Sequence, residues 1–207
     1  MKNNFNLIAP VYDGLVKVIF GSKLKQIQAQ FLPLIPENAG VLIMGGGTGW
    51  IINELFNTGF KGRLTYVEAS EKMIFLSKRN CEFSDSIDFI HGEESDLPVD
   101  RKYDVIITNF FLDVFSKTRL DQVITILSEK LNEGGGLWIC SDFYDTGKTS
   151  HRFLLWLMLS FFRITTQLES KQLIDFHPKL EKEGYLRKQH FQMMNGLVFS
   201  SIYTNAR

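Results

Sequence analysis

The sequence has few cysteines, no excess of charge of either sign and no long apolar run, and each absence excludes a class of protein. Among 207 residues there are 2 cysteines, with 23 basic and 23 acidic residues. Because Cys81 and Cys140 lie far apart, they cannot build a thiolate zinc cage, and we expect free thiols in a reducing compartment. The balanced charge excludes the strongly basic surface of a protein held mainly to nucleic acid.

The apolar segments are too short to span a membrane. The longest run, Phe153 to Phe162, has ten residues and is interrupted by Ser160, whereas a membrane-spanning helix needs about 20. The first ten residues contain no long apolar core and no cleavage pattern, so we expect no secretory signal and a cytoplasmic protein. The hydrophobic fraction of 44% and the 18 phenylalanines exclude disorder and fit one domain, residues 1–207.

Apolar runs and helical stretches alternate along the chain. This alternation predicts an α/β fold with a parallel sheet covered by helices on both faces, a doubly wound sheet. The sequence ends in two further strands around Asn195-Gly196, a pair that favours a tight turn, so we expect a C-terminal antiparallel hairpin. The five predicted parallel strands are residues 41–44, 64–67, 87–91, 103–108 and 136–141.

Two serines precede stretches with helical spacing and are candidate N-caps. Ser22 precedes a stripe that begins at Leu24, and Ser70 precedes a helix that carries Met73. A third helix starts near Thr149 and contains the long apolar run.

A glycine-rich turn follows the first predicted strand and opens a helix. Gly45, Gly47 and Gly49 have the spacing Gly-x-Gly-x-Gly. The dinucleotide pattern Gly-x-Gly-x-x-Gly does not fit, because Trp50 occupies its third glycine position. The Gly-Lys-Ser/Thr of a phosphate-binding loop is absent. Such a turn lets a ligand press against bare main chain beside a helix N-terminus.

Two acidic signals follow the next two strands. Glu68 lies 19 residues after Gly49, where a carboxylate can accept hydrogen bonds from both hydroxyls of a ribose. The loop after the third strand contains Glu93 and Glu94 and can contact an adenine amino group. Because the carboxyl ends of neighbouring parallel strands share one edge of a sheet, the sequence predicts a nucleoside site there.

Together these segments resemble the motifs of the class I S-adenosylmethionine-dependent methyltransferases. The residues that carry the resemblance are 41–49, 67–73, 92–98, 103–109 and 131–135, within roughly residues 5 to 142. The resemblance implies a Rossmann-like sheet of seven strands that binds S-adenosylmethionine, releases S-adenosylhomocysteine and uses no metal. The cofactor-binding residues that it implies are Tyr12, Gly45, Gly46, Gly47, Thr48, Gly49, Glu68, Ala69, Met73, Glu93, Glu94 and Asn109.

The N-terminal segment and one position of the first motif bear on cofactor binding. Residues 5–13 resemble the segment that folds over the cofactor in the quinone and lipid branch of the family, with Tyr12 near the methionine part; the alternative is an N-terminal arm with a packed tyrosine. Where the family usually carries an acid that helps to fix the cofactor's ammonium group, this chain has Ile43. The substitution puts the strength of cofactor binding in question.

Two alternatives remain open from the sequence. The Gly-Gly-Gly turn also resembles that of aminopropyltransferases, which use decarboxylated S-adenosylmethionine, but their fourth strand normally ends in a catalytic Asp and here it ends in Asn109. Ile43 motivates the second alternative, a non-catalytic protein that binds the cofactor.

Methyl transfer from a sulfonium is an in-line displacement that depends mainly on placing the acceptor, so no catalytic residue is assigned. The apolar run predicts either a fully buried helix, a lid over an apolar acceptor, or a peripheral contact with lipid headgroups through Arg152 and Arg163. We expect a small, apolar acceptor, such as a lipid or a quinone-like molecule, and no nucleic acid. The candidate acceptor-binding residues are Phe110, Asp113, Tyr144, His151 and Trp156.

These assignments divide the single domain into four parts. Residues 1–35 form an N-terminal lid and helix, and residues 36–142 form the cofactor-binding core. Residues 143–184 form a helical cap over the acceptor, and residues 185–207 form the C-terminal hairpin. The sequence leaves open C-, N- or O-methylation and the oligomeric state.

Overall fold

The computed structural model describes residues 6, 9–83, 86–166 and 173–205, without the side chains of residues 10–13, 15 and 161–166. Its seven strands form one sheet in the order β3-β2-β1-β4-β5-β7-β6. The first five strands are parallel, and β7 pairs antiparallel with both β5 and β6. The predicted fold is therefore confirmed. The strands are β1 Gly40–Met44, β2 Arg63–Glu68, β3 Ile87–His91, β4 Val105–Asn109, β5 Leu137–Phe143, β6 Tyr185–Met193 and β7 Val198–Asn205.

Helices cover both faces of the sheet because successive strand residues point in opposite directions. Val41 and Ile43 of β1 join the buried cluster on the face of α3, whereas Leu42 and Met44 join the cluster that contains the apolar stripe of α5. The helices are α1 Ala9–Phe20, α2 Lys23–Ala29, α3 Trp50–Asn57, α4 Glu71–Asn80, α5 Lys117–Lys130, α6 Thr149–Thr166 and α7 His177–Lys182.

One of the two predicted serine caps is confirmed and the other is wrong. Ser70 Oγ accepts a hydrogen bond of 3.2 Å from the Met73 backbone N–H at the start of α4. Ser22 has helical backbone angles and makes no cap bond. The reason is that α1 ends only three residues before α2, and the turn between them is made by Gly21 with a φ of 61°. A left-handed glycine ends the first helix and sets the start of the second.

The apolar helix α6 is only partly buried. Leu155 and Met158 pack into a core cluster with Phe143, but Phe153 and Trp156 are each 61% exposed. The prediction of a fully buried helix is therefore wrong. Within the described residues, none of the helices combines the length and the apolar character needed to cross a bilayer.

Candidate functional site

A pocket of about 430 Å³ lies at the carboxyl ends of β1, β2 and β4. Its floor is formed by the glycine turn after β1, by the end of β2 and by the acidic loop after β3. Its walls come from the loop after β4 and from α1 and α2. This edge of the sheet is where ligands bind in open α/β folds.

The glycine turn is packed on its protein side and open on its pocket side. A Cβ on Gly46 would overlap the ring of Tyr66, whereas a Cβ on Gly47 would have no neighbour within 4 Å. Gly45 and Gly47 have φ values of 63° and 66°, a region that side-chain-bearing residues adopt at a cost. The turn therefore presents bare main chain to whatever fills the pocket.

Glu68 ties the glycine turn to the end of β2. One carboxylate oxygen accepts a hydrogen bond of 2.9 Å from the Gly47 N–H, and the other accepts one of 2.8 Å from the Ser70 N–H. The residue is 7% exposed, and burial raises the pKa of Glu68 above its usual value while the backbone N–H groups oppose that rise. Each oxygen keeps a second lone pair for a ligand. Ala69 and Met73 line the pocket beside it.

The two glutamates of the acidic loop after β3 share one arginine that sequence analysis did not predict. Arg119 Nη2 lies 3.1 Å from Glu93 Oε2 and 2.5 Å from Glu94 Oε1, and the Glu94 side chain is 2% exposed. Both glutamates line the pocket. Arg119 lies on α5 and carries no local signal, because only the folding of α5 against this loop brings the three side chains together.

Asn109 presents an unsatisfied amide at the end of β4. Both polar atoms of its side chain are buried and have no hydrogen-bond partner, and the residue lines the pocket. A buried polar group without a partner costs about 1–3 kcal/mol. The next residue, Phe110, has a φ of 49°, a strained conformation of the kind that clusters at ligand sites. The amide thus lacks the partner that a ligand would provide.

Asp113 does not line the pocket but packs against a second buried carboxyl group. The Asp113 N–H donates to Asp142 Oδ2 at 3.2 Å, while Asp113 Oδ1 is buried without a partner. Burial raises the pKa of Asp113 to about 6. Burial, and next the charge of Asp113, raise the pKa of Asp142 well above its usual value. The pair therefore holds a proton at a pH where exposed carboxyl groups are ionised.

Because of this carboxyl pair, we expect the free energy of unfolding to fall as the pH rises. Because the pKa of Asp113 is higher in the folded state than in the unfolded chain, the folded protein binds more protons above about pH 4 and loses stability as the pH passes 6. Replacing Asp113 by Asn provides an amide that can donate to Asp142. We expect the D113N variant to gain on the order of 2 kcal/mol of unfolding free energy at pH 8.

Urea titrations between pH 5 and 8 test this prediction. The D113N variant should show a shallower decline than the parent, with a remainder that comes from the burial of Asp142, whereas the exposed control D100N should keep the parent's decline. An equal decline in D113N and the parent would contradict the carboxyl pair.

The structure brings only some of the predicted site residues to the pocket. Phe110 lines it, but Asp113, Tyr144, His151 and Trp156 do not. Tyr144 is 42% exposed, and His151 Nδ1 lies 2.7 Å from Thr146 Oγ1 in the loop before α6. Their acceptor roles stay predictions.

Three other predicted residues are Gly49, Tyr12 and Arg163. Gly49 does not line the pocket. A Cβ there would lie 2.6 Å from Ser77, so the glycine lets α3 pack on α4. The side chains of Tyr12 and Arg163 lie outside the described part of the chain.

Helices α1 and α2 supply a pocket wall whose individual residues the sequence did not reveal. Lys17, Lys25 and Gln28 line it, and Lys25 Nζ lies 5.0 Å from the centroid of the Trp50 ring. The only sequence signal was the N-terminal motif of residues 5–13. From that motif, Asn6 Oδ1 accepts hydrogen bonds from Ser70 Oγ at 2.8 Å and from the Lys72 N–H at 3.1 Å. This contact fastens the N-terminal segment beside the pocket.

The described residues contain neither a disulfide nor a cluster of metal ligands. Cys81 and Cys140 are both free thiols. Across residues 9–83, 86–166 and 173–205, no three His, Cys, Asp or Glu side chains are grouped so that they could hold a metal ion.

Comparison with known proteins finds methyltransferases that are similar in sequence and in fold. A methyltransferase domain family matches residues 41–135. Malonyl-[acyl-carrier protein] O-methyltransferase of Priestia megaterium is 28% identical over 137 residues, which are 66% of this chain and 49% of that protein. The chain thus spans about half the length of this relative.

Solved methyltransferases share the fold. A methyltransferase in complex with the Haloferax volcanii Trm112 methyltransferase activator matches with a TM-score of 0.74 at 14% identity, over 100% of both chains. N-methyltransferase NodS of Bradyrhizobium japonicum WM9, in complex with S-adenosylhomocysteine, matches with a TM-score of 0.67 at 13% identity, over 91% of this chain and 89% of NodS. Together with the domain match and the sequence motifs, these likenesses support a class I S-adenosylmethionine-dependent methyltransferase.

Proposed function

We propose that the pocket binds S-adenosylmethionine and that the chain transfers its methyl group to a small, largely apolar acceptor. The observation that carries the proposal is the unpaired, buried amide of Asn109, which faces a pocket floored by the glycine turn and Glu68. A polar ligand bound in the pocket would give this amide its missing partner.

The residues present fit an adenosine cofactor. Glu68 has a lone pair on each oxygen for the ribose hydroxyls, and the free space above Gly47 accepts the part of the cofactor that lies on the turn. Glu93 and Glu94 hold the adenine side, and Arg119 sets their position.

When bound, the cofactor supplies an electrophilic methyl group on a positively charged sulfur. The task of the protein is then to position the acceptor and to exclude water. Phe110, Phe111, Val114 and Phe115 give the pocket an apolar wall next to Asn109, which suits an apolar acceptor body. The exposed aromatic residues of α6 are separate from this wall, and we assign the peripheral membrane contact to them.

An assay of S-adenosylhomocysteine formation tests the activity. The chain is incubated with S-adenosylmethionine and a set of lipid, quinone-like and carboxylic acid acceptors, and product is quantified by mass spectrometry. We expect acceptor-dependent product. Transfer with decarboxylated S-adenosylmethionine and putrescine would instead identify an aminopropyltransferase. Cofactor binding without turnover on any acceptor would favour the non-catalytic alternative.

The proposed role of Arg119 predicts weaker cofactor binding when its charge is removed. In the R119M variant the buried Glu94 loses its counter-charge, and the acidic loop loses the contact that fixes it. We expect the affinity for S-adenosylhomocysteine to fall about tenfold, which is 1.4 kcal/mol. The control R101M removes an arginine that pairs with Asp88 on β3 and should bind as the parent does. Equal affinities of R119M and the parent would refute the role.

A further inference from the structure

The wall formed by α1 and α2 gives the pocket a positive side. The described charged side chains that line this wall are two lysines, Lys17 and Lys25. Val16 and Leu24 line the same wall, so the cations stand beside apolar surface. A ligand that is complementary to this wall combines a negative charge with an apolar body.

Neither lysine is neutralised by the protein within the described residues. No ion pair involves Lys17 or Lys25 there, and both residues are exposed. Lys25 is held over the face of Trp50, a contact that orients an ammonium group without cancelling its charge.

The described carboxylates that line the pocket do not pair with these two lysines. Glu68 accepts two backbone N–H bonds, and Glu93 and Glu94 share Arg119. A sulfonium cofactor adds a further positive charge, since its ammonium and carboxylate groups cancel. Like charges in one pocket repel, and an anion relieves that repulsion.

An acceptor group that already carries a negative charge needs no general base. A carboxylate is ionised at neutral pH, so one of its oxygens can bond to the methyl carbon while the sulfur keeps the electron pair of the breaking bond.

We propose that the acceptor is an amphipathic carboxylate whose charged end lies against Lys17 and Lys25 and whose apolar body packs on the pocket wall. This inference rests on the proposed function, because it concerns the second ligand of the same pocket. It narrows the acceptor from an apolar small molecule to an organic anion.

Calorimetry with matched ligands tests the proposal. The full chain is saturated with S-adenosylhomocysteine and titrated with octanoate and octanamide, and with benzoate and benzamide. We expect at least one carboxylate to bind about tenfold more tightly than its amide, with a preference that shrinks as salt screens the lysines. Amides that bind as tightly as both carboxylates, or a failure of both carboxylates to bind, would overturn the proposal.

Three lysine variants test which side chains cause the preference for carboxylates over amides. K17Q and K25Q should each lower the carboxylate preference about fivefold, whereas K23Q should not change it, because Lys23 lies on the same helix as Lys25 but outside the pocket lining. Carboxylate preferences in K17Q and K25Q equal to that of the parent would overturn the proposal.

A separate experiment tests whether the two lysines bind the acceptor or the carboxylate of the cofactor itself. 5′-Methylthioadenosine lacks the amino acid tail of S-adenosylhomocysteine. If K17Q and K25Q weaken S-adenosylhomocysteine but not 5′-methylthioadenosine, the lysines hold the cofactor and the proposal is overturned. If the parent itself does not bind S-adenosylhomocysteine, the proposed function is refuted.

Discussion

The E68A variant should bind S-adenosylhomocysteine at least about 100-fold more weakly than the parent, a loss of roughly 2.7 kcal/mol. Two effects combine in this loss. The variant removes the acceptor proposed for the ribose hydroxyls, and it leaves the N–H groups of Gly47 and Ser70 without the carboxylate that now accepts from both. The glycine turn then loses its link to β2. Isothermal calorimetry measures the affinity.

Two control variants separate the site from the surface. E68Q keeps one acceptor oxygen and should lose less affinity than E68A. E71A removes an exposed carboxylate three residues further along and should bind as the parent does. An E68A variant with the affinity of the parent would refute the assignment of the ribose to Glu68.

The G49A variant should be strongly destabilised even though Gly49 does not line the pocket. Its φ is 84°, and a Cβ would lie 2.6 Å from the Ser77 Cβ and 2.7 Å from the Ser77 Cα. Because one of these atoms belongs to the backbone, no side-chain rotation relieves the overlap, and α3 must move away from α4. We expect a loss of about 3 kcal/mol or more in the free energy of unfolding, measured by urea denaturation.

Gly59 provides the matched control for backbone strain. Its φ is 91°, but an added Cβ would have no neighbour within 4 Å. G59A should therefore lose only the cost of a left-handed alanine, about 1 kcal/mol. Equal losses in G49A and G59A would contradict the packing role of Gly49.

The elements that were predictable from the sequence are those with a local cause. A short apolar run that ends in glycines identifies β1, and helical spacing from Leu24 identifies α2. Ends set by long-range pairing were not predictable. β5 continues to Phe143, beyond the predicted end at residue 141, because Asp142 and Phe143 pair with β7. β4 begins at Val105 because Tyr103 makes only an isolated bridge to Leu131.

The same distinction applies to the candidate site. The glycine turn and Glu68 lie at fixed offsets from strand ends, so their position at the pocket could be inferred from the sequence. Arg119 reaches the acidic loop from a helix that is remote in the chain, and Lys25 reaches the pocket from a helix outside the matched family region, so no spacing links either residue to the site. Trp156 was chosen for the hydrophobicity of its helix, but α6 turns this residue to the surface.

The central claim is that the pocket at the edge of the sheet binds the adenosine part of S-adenosylmethionine. Titration of the purified chain with S-adenosylhomocysteine in a calorimeter tests it most directly. We predict one site per chain with a dissociation constant in the micromolar range, about −8 kcal/mol. A dissociation constant weaker than about 1 mM, which corresponds to a binding free energy of only about −4 kcal/mol, would contradict the claim.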